Sequence, residues 1–146
     1  MARNVVTIPA MNMDRIDHKR VAAYICFDPG DTGGLRDRSM EMSFVVKEIY
    51  LKPKWKLAQL YWDYEPSVPM TERRAYKDFV ADASERKVDM LYMWSIRQLS
   101  RDRGEITNFL ALLRKNNITL RTHIEEIDSS IISDNLILDL WFMGVK

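Results

Sequence analysis

The sequence predicts a three-layer α/β domain. It has a mainly parallel sheet of four to five strands, helices on both faces, and an apolar helix at the C-terminal end. Three observations carry this. Short apolar runs alternate with segments whose apolar residues recur at helical spacing. The runs lack a polar face, as strands covered on both sides do. Stretches rich in Gly, Pro and Asp separate them.

Met1 to His18 shows no period and reads as a loose leader, residues 1–18. Arg20-Val-Ala-Ala-Tyr-Ile-Cys26 is a buried strand bounded by charge and by Asp28-Pro29-Gly30. Asp28 to Arg38, with Gly30, Gly33 and Gly34, is a loop. Ser39 can cap a helix that Pro53 stops near Lys52, with Met42, Val45, Val46, Ile49 and Tyr50 as its inward stripe. Leu57 to Trp62 is a second strand, ended by Asp63. Thr71 opens a second helix that buries Ala75, Tyr76, Phe79, Val80 and Ala83. Val88 to Trp94 is a third strand. Asp102-Arg-Gly-Glu105 reads as a capping box for a helix burying Ile106, Phe109, Leu110 and Leu113. Ile118 to Ile124 is a fourth strand, and Ile131 to Met143 a last helix. That helix is apolar almost all round and needs partners on more than one side. It either closes the core or offers a face for self-association, and the sequence favours the second.

Composition bounds the function. Of 146 residues, 47% are hydrophobic and 29% charged, which excludes a disordered chain. Lys+Arg total 22 against 21 Asp+Glu, a net charge of +1, so a nucleic-acid site must come from local clustering. No apolar run approaches the ~20 residues of a membrane span. Cys26 stands alone, which excludes an internal disulfide and a cysteine-based zinc site. The start has no apolar signal region, so the cytoplasm is the expected compartment. No phosphate-binding glycine motif is present, and neither His18 nor His123 has ligand spacing.

In a parallel sheet, ligands bind beyond the carboxyl ends of the strands. The loops there carry Asp28, Asp31, Asp63, Arg73 and Arg74, then Arg97, Arg101 and Arg103 with Ser95, Gln98 and Ser100, and finally Glu125, Glu126 and Asp128. Arginines gathered on one rim suit a phosphate oxyanion, because guanidinium binds it as a bidentate fork.

The order of these features resembles the catalytic domain of the serine recombinases, the resolvase/invertase family, with the nearest look to the large recombinases of mobile elements. Lys19-Arg-Val-Ala-Ala-Tyr-Ile-Cys-Phe-Asp28 looks like the family's first strand. Leu60-Tyr-Trp-Asp63-Tyr-Glu-Pro-Ser67 looks like its second strand and Asp-x-x-x-Ser turn. Arg73-Arg-Ala-Tyr76-Lys-Asp-Phe79 looks like the Arg-x-x-Phe helix start. Lys87 to Arg101 looks like the third strand and its Asp-Arg-Leu-Ser-Arg motif, and Glu125-Glu-Ile-Asp128-Ser129 like the Glu-x-x-Asp-Thr after the fourth. The resemblance spans about Lys19 to Met143. It implies a resolvase-like catalytic domain over 19–130 and the start of a long interface helix over 131–146.

The resemblance also implies chemistry. In the family a serine hydroxyl attacks a DNA phosphodiester, giving a 5′-phosphoserine and a free 3′-hydroxyl, and the link keeps the bond's energy so that no cofactor is needed. Here the serine position is Asp28, the arginine two residues earlier is Cys26, and Gln98 stands at a further motif arginine. Arg73 and Arg101 would contact the scissile phosphate and Asp63 would organise the site. DNA contacts would involve Arg73, Arg97, Arg101, Arg103 and Ser67. Asp28 would repel an approaching phosphodiester, so the expectation is a recombinase-family domain that does not cleave. Its partners would be DNA, bound weakly without a C-terminal DNA-binding region, and a second copy or an intact recombinase through 131–146. The alternatives are a Mg²⁺-dependent phosphoryl-transfer or phosphoacceptor domain using Asp28 and Asp63, and a non-catalytic oligomerising partner.

Overall fold

The computed structural model describes residues 4–7, 18–27, 34–64 and 67–144, with side chains omitted for 34–39 and 144. A sheet of order β1-β3-β2-β4-β5 forms its middle layer. Its strands are β1 (Val5–Thr7), β2 (Lys19–Phe27), β3 (Trp55–Tyr64), β4 (Met90–Met93) and β5 (Thr119–Thr122). β1 runs antiparallel to β3, and every other pairing is parallel. The predicted class is therefore the observed one. The fifth strand is β1, in a segment where no period is legible.

Helix α1 (Gly34–Leu51) covers one face, with Val45 and Ile49 set against Val21, Ala23, Leu57, Met90 and Tyr92. Helices α2 (Arg74–Ser84), α3 (Arg103–Lys115) and α4 (Asp134–Gly144) share the other face, where Phe79, Phe109, Leu113, Ile137 and Trp141 meet Ala22, Tyr61, Leu91 and Leu120. Alternation along β2 sends Val21 and Ala23 to the first core and Ala22, Tyr24 and Cys26 to the second. A bulge between Val21 and Ala22 resets the register against β3.

Several expectations need correction. α1 starts at Gly34, a turn before the Ser39 cap, since no proline between them stops it. Tyr50 is exposed because it lies past the edge of the stripe that Val45 and Ile49 bury. α2 starts at Arg74 rather than Thr71, because Met70–Glu72 forms a separate 3-10 turn. α4 starts at Asp134 rather than Ile131: the amides of Ile131 and Ile132 bond back to the Asp128 carbonyl in a turn, and the Ser133 hydroxyl caps the helix at the Leu136 amide. The inner face of α4 closes the core with Ile137, Leu138 and Trp141, while Leu136, Phe142 and Met143 stay exposed.

α2 and α3 end alike. Arg86 and Asn117 adopt positive φ, and Lys87 N donates to Asp82 O as Ile118 N donates to Leu113 O. This is the Schellman closure, and Asn tolerates it better than Arg.

Candidate functional site

The chain passes from β3 back across β2 to β4, so the carboxyl end of β2 lies at the switch point of the sheet, where α/β domains bind ligands. The loops after β3, β4 and β5 surround it.

The loop after β3 is organised by Asp63, which is buried at the end of its strand. Arg73 occupies the N-cap position of α2 and offers no acceptor. Asp63 supplies one from β3: its Oδ1 accepts from Ala75 N at 2.8 Å and its Oδ2 from Tyr76 N at 3.0 Å. These are the amides that a local Ser or Asp cap would satisfy. Oδ2 also accepts from the Tyr24 hydroxyl at 2.9 Å. Arg73 is only 2% exposed. Its Nε donates to Val68 O at 2.9 Å, and its positive charge acts on the Tyr24 phenol. Tyr24 thus bonds the Asp63 carboxylate within the field of the Arg73 guanidinium.

Burial pushes the Tyr24 phenol well above its ordinary range, assisted by Cys26 and Asp63 and opposed by Arg73. Burial, with Glu105 adding to it, pushes Tyr76 up to about 12. Cys26 is buried in the second core near the same phenol, as a small hydrophobe at a strand end would be.

The loop after β4 is held from several directions. Ser95 caps a 3-10 turn at Ile96–Gln98, its hydroxyl accepting from Arg97 N and donating to Glu125 Oε2. Glu125 also accepts from Ile96 N at 3.1 Å and pairs with Arg97 Nε at 3.4 Å. Gln98 Nε2 reaches both carboxylate oxygens of Glu41 on α1 at 3.2 Å. Asp102 caps α3 through Gly104 N and Glu105 N.

Glu105 does not complete the expected capping box. Its Oε1 accepts from the Ser100 hydroxyl at 2.6 Å and its Oε2 from Met70 N at 2.7 Å. The carboxylate thus ties the segment leading to Arg73 to the residue before Arg101.

The arginines divide by environment. Arg101 and Arg103 are exposed, Arg97 is half-exposed beside Glu125, and Arg73 is buried. Ser67 is exposed on the loop after β3. Asp128 belongs to a turn, where it accepts from Ser130 and pairs with Arg121 at 3.5 Å. Asp28 and Asp31 lie outside the described residues.

Sequence reasoning missed Tyr24, Tyr76 and Trp141 as parts of this construction. It also missed Arg114, which clamps the start of α4 to α3 through Asp134, Ser129 O and Ile132 O. The period-2 pattern of β2 could have placed Tyr24 beside Cys26. Nothing local marks the others. Among the described residues no group of three or more His, Cys, Asp or Glu is arranged to hold a metal, and no helix is long and apolar enough to cross a membrane.

The chain superimposes on the N-terminal catalytic domain of TP901-1 integrase with a TM-score of 0.68 and 22% identity, over 86% of this chain and 92% of that one. The C-terminal catalytic domain of ISC1926 TnpA, an IS607-like serine recombinase, matches with 0.58 and 15%, over 82% and 77%. A resolvase-family site-specific recombinase from Streptococcus pneumoniae matches with 0.55 and 12%, over 85% of each. No curated protein sequence matches. The family model for the resolvase N-terminal domain matches residues 43–143, and the chain belongs to that family.

Proposed function

We propose that this domain serves site-specific DNA recombination as a member that engages DNA and partner subunits without breaking the strand itself. The observation that carries the proposal is the carboxyl end of β2. There Cys26 is sealed into the core where the family has an arginine, and the sequence continues through Phe27 to Asp28 where the family has its serine.

The chemistry follows from those residue types. A serine oxygen displaces the 3′-oxygen at phosphorus and leaves a phosphodiester that a hydroxyl can reseal. An aspartate attacking the same phosphorus would carry its negative charge toward an anion and would yield an acyl phosphate, which water opens. Ser95 and Ser100 offer no ready replacement, because both are buried and donate to Glu125 and Glu105.

Binding is assigned to the exposed Arg97, Arg101, Arg103 and Ser67, with the buried Arg73 in support. Residues 19–130 form the catalytic-type unit. Residues 1–18 form a leader whose Val5–Thr7 borders the sheet, and 131–146 carries the interface helix. Leu136, Phe142 and Met143 are the exposed apolar residues of α4 available to a second copy or to an intact recombinase. A Mg²⁺ site on Asp28 and Asp63 would compete with the hydrogen bonds that Asp63 already accepts from the first turn of α2.

The test is incubation with duplex DNA from the junctions flanking its own gene, followed by denaturant. We expect no covalent adduct. Binding should weaken with salt, and its log–log slope should fall by about 2 in Arg101→Ala/Arg103→Ala, about 0.9 per phosphate contact. An adduct that survives denaturant and disappears in Asp28→Ala overturns the proposal.

A further inference from the structure

We propose that Trp141 and Glu105 are positioning residues for Arg101, so that the seating of α4 sets the phosphate-binding geometry of the rim. The inference rests on the DNA-phosphate role proposed for Arg101.

The side chain of Arg101 is exposed, but the backbone on either side of it is pinned. Trp141 Nε1 donates to the carbonyl of Ser100 at 2.7 Å, a buried bond joining α4 to the residue before Arg101. The Ser100 hydroxyl donates to Glu105 and accepts from Asp102 N at 3.0 Å, on the residue after Arg101. Glu105 is fixed in turn by Met70 N at the entry to the Arg73 segment.

The pins come from α4, from α3 and from the loop after β3. Among the described residues, only the pin from α4 comes from an element with an exposed apolar face. Phe142 and Met143 follow Trp141 on the exposed side of α4, so a partner seated on them would bear on the helix that carries the indole, and through its seating on Ser100. A long flexible guanidinium binds phosphate with less entropic loss when its Cα is fixed, which is what these bonds supply.

The test is a double-mutant cycle on duplex DNA affinity. Arg101→Ala should weaken binding about 8-fold at 0.1 M salt and lower the salt slope by about 0.9, the counterion release of one phosphate. Trp141→Phe keeps an aromatic ring but removes the donor. It should reproduce most of that loss and of the slope change, and combining it with Arg101→Ala should add nothing further.

Glu105→Ala should behave like Trp141→Phe, and Glu105→Gln, which can still accept from one partner and donate to the Ser100 oxygen, should recover most of the affinity. This pair carries the test if Trp141→Phe does not fold. If Arg101→Ala weakens binding while Trp141→Phe and Glu105→Ala bind as the parent does, or if the losses multiply, the positioning role is overturned and the DNA role stands. If Arg101→Ala binds as the parent does, both fall.

Discussion

Asp63 should be the most consequential polar residue of the domain for stability. In Asp63→Ala the amides of Ala75 and Tyr76 lose their acceptor, and the Tyr24 hydroxyl is left in the interior with one partner fewer. Loss of a helix cap costs about 0.5–2 kcal/mol, and a stranded buried donor about 1–3 kcal/mol. The substitution should therefore cost about 3–4 kcal/mol. In Asp63→Asn one oxygen still accepts from an amide, while the new NH2 faces donors and can be used only by the Tyr24 oxygen, so about 2 kcal/mol is expected. Tyr24→Phe removes a single hydrogen bond from the carboxylate and should cost about 1 kcal/mol. Urea denaturation followed by circular dichroism measures all three. For a chain of this size the alanine variant should also lose roughly 10 °C in Tm. An alanine variant within 1 kcal/mol of the parent, or an asparagine variant as damaged as alanine, would refute the reading of Asp63 as a remote cap.

Further outcomes follow from the same structure. The Tyr76 phenol, pushed up to about 12 chiefly by burial, resists ionisation in the fold more than in the unfolded chain. Its contribution is therefore complete below about pH 10 and lost as pH rises from there through 12, by at most about 3 kcal/mol. Denaturation midpoints across pH 9–12 should fall less steeply in Tyr76→Phe. Arg86 holds φ 57 at the end of α2, so Arg86→Gly should raise stability by about 0.5–1 kcal/mol in the same assay, against no gain if the turn is unstrained. Phe142→Lys/Met143→Lys should leave the circular dichroism spectrum unchanged and weaken self-association at least tenfold in sedimentation equilibrium, since both side chains are about two-thirds exposed, at 65% and 67%.

The fold was legible because its signal is collective. Strand runs such as Val21 to Cys26 and helix stripes such as Ile106, Phe109, Leu110 and Leu113 repeat a period that burial enforces. β1 was not legible, because three residues cannot show a period and its pairing depends on β3. The same limit applies to the site. Asp63, Arg73 and Arg101 were singled out through the order of motifs along the chain, but their environments were not. A buried arginine at an N-cap position contradicts both its usual exposure and usual capping chemistry, and only an acceptor ten residues earlier in sequence resolves the conflict. Glu105 satisfied the local pattern of a capping box, yet the tertiary partners Ser100 and Met70 claimed its oxygens.

The departures from the family motifs differ sharply in how readily they could be reversed, and this yields a final prediction. Gln98 already bonds both oxygens of Glu41. Gln98→Arg would replace that contact with a charge-assisted fork at a partly exposed position, and stability should be unchanged or up to about 1 kcal/mol higher. Cys26→Arg is the opposite case. Cys26 is 2% exposed and shares the surroundings of the Tyr24 phenol with the Arg73 guanidinium. A second cation there would be desolvated and set near a like charge, an uncompensated burial that costs about 3–5 kcal/mol. Asp28→Ser alone should therefore yield no DNA adduct, because the serine would lack the second guanidinium. The triple variant Cys26→Arg/Asp28→Ser/Gln98→Arg should unfold at markedly lower urea than Gln98→Arg. Cys26→Arg folding as stably as the parent would mean that the end of β2 can open toward solvent. Arg73 would then be nearer the surface than its 2% exposure indicates, and the separation drawn between a supporting Arg73 and a phosphate-facing Arg101 would fail.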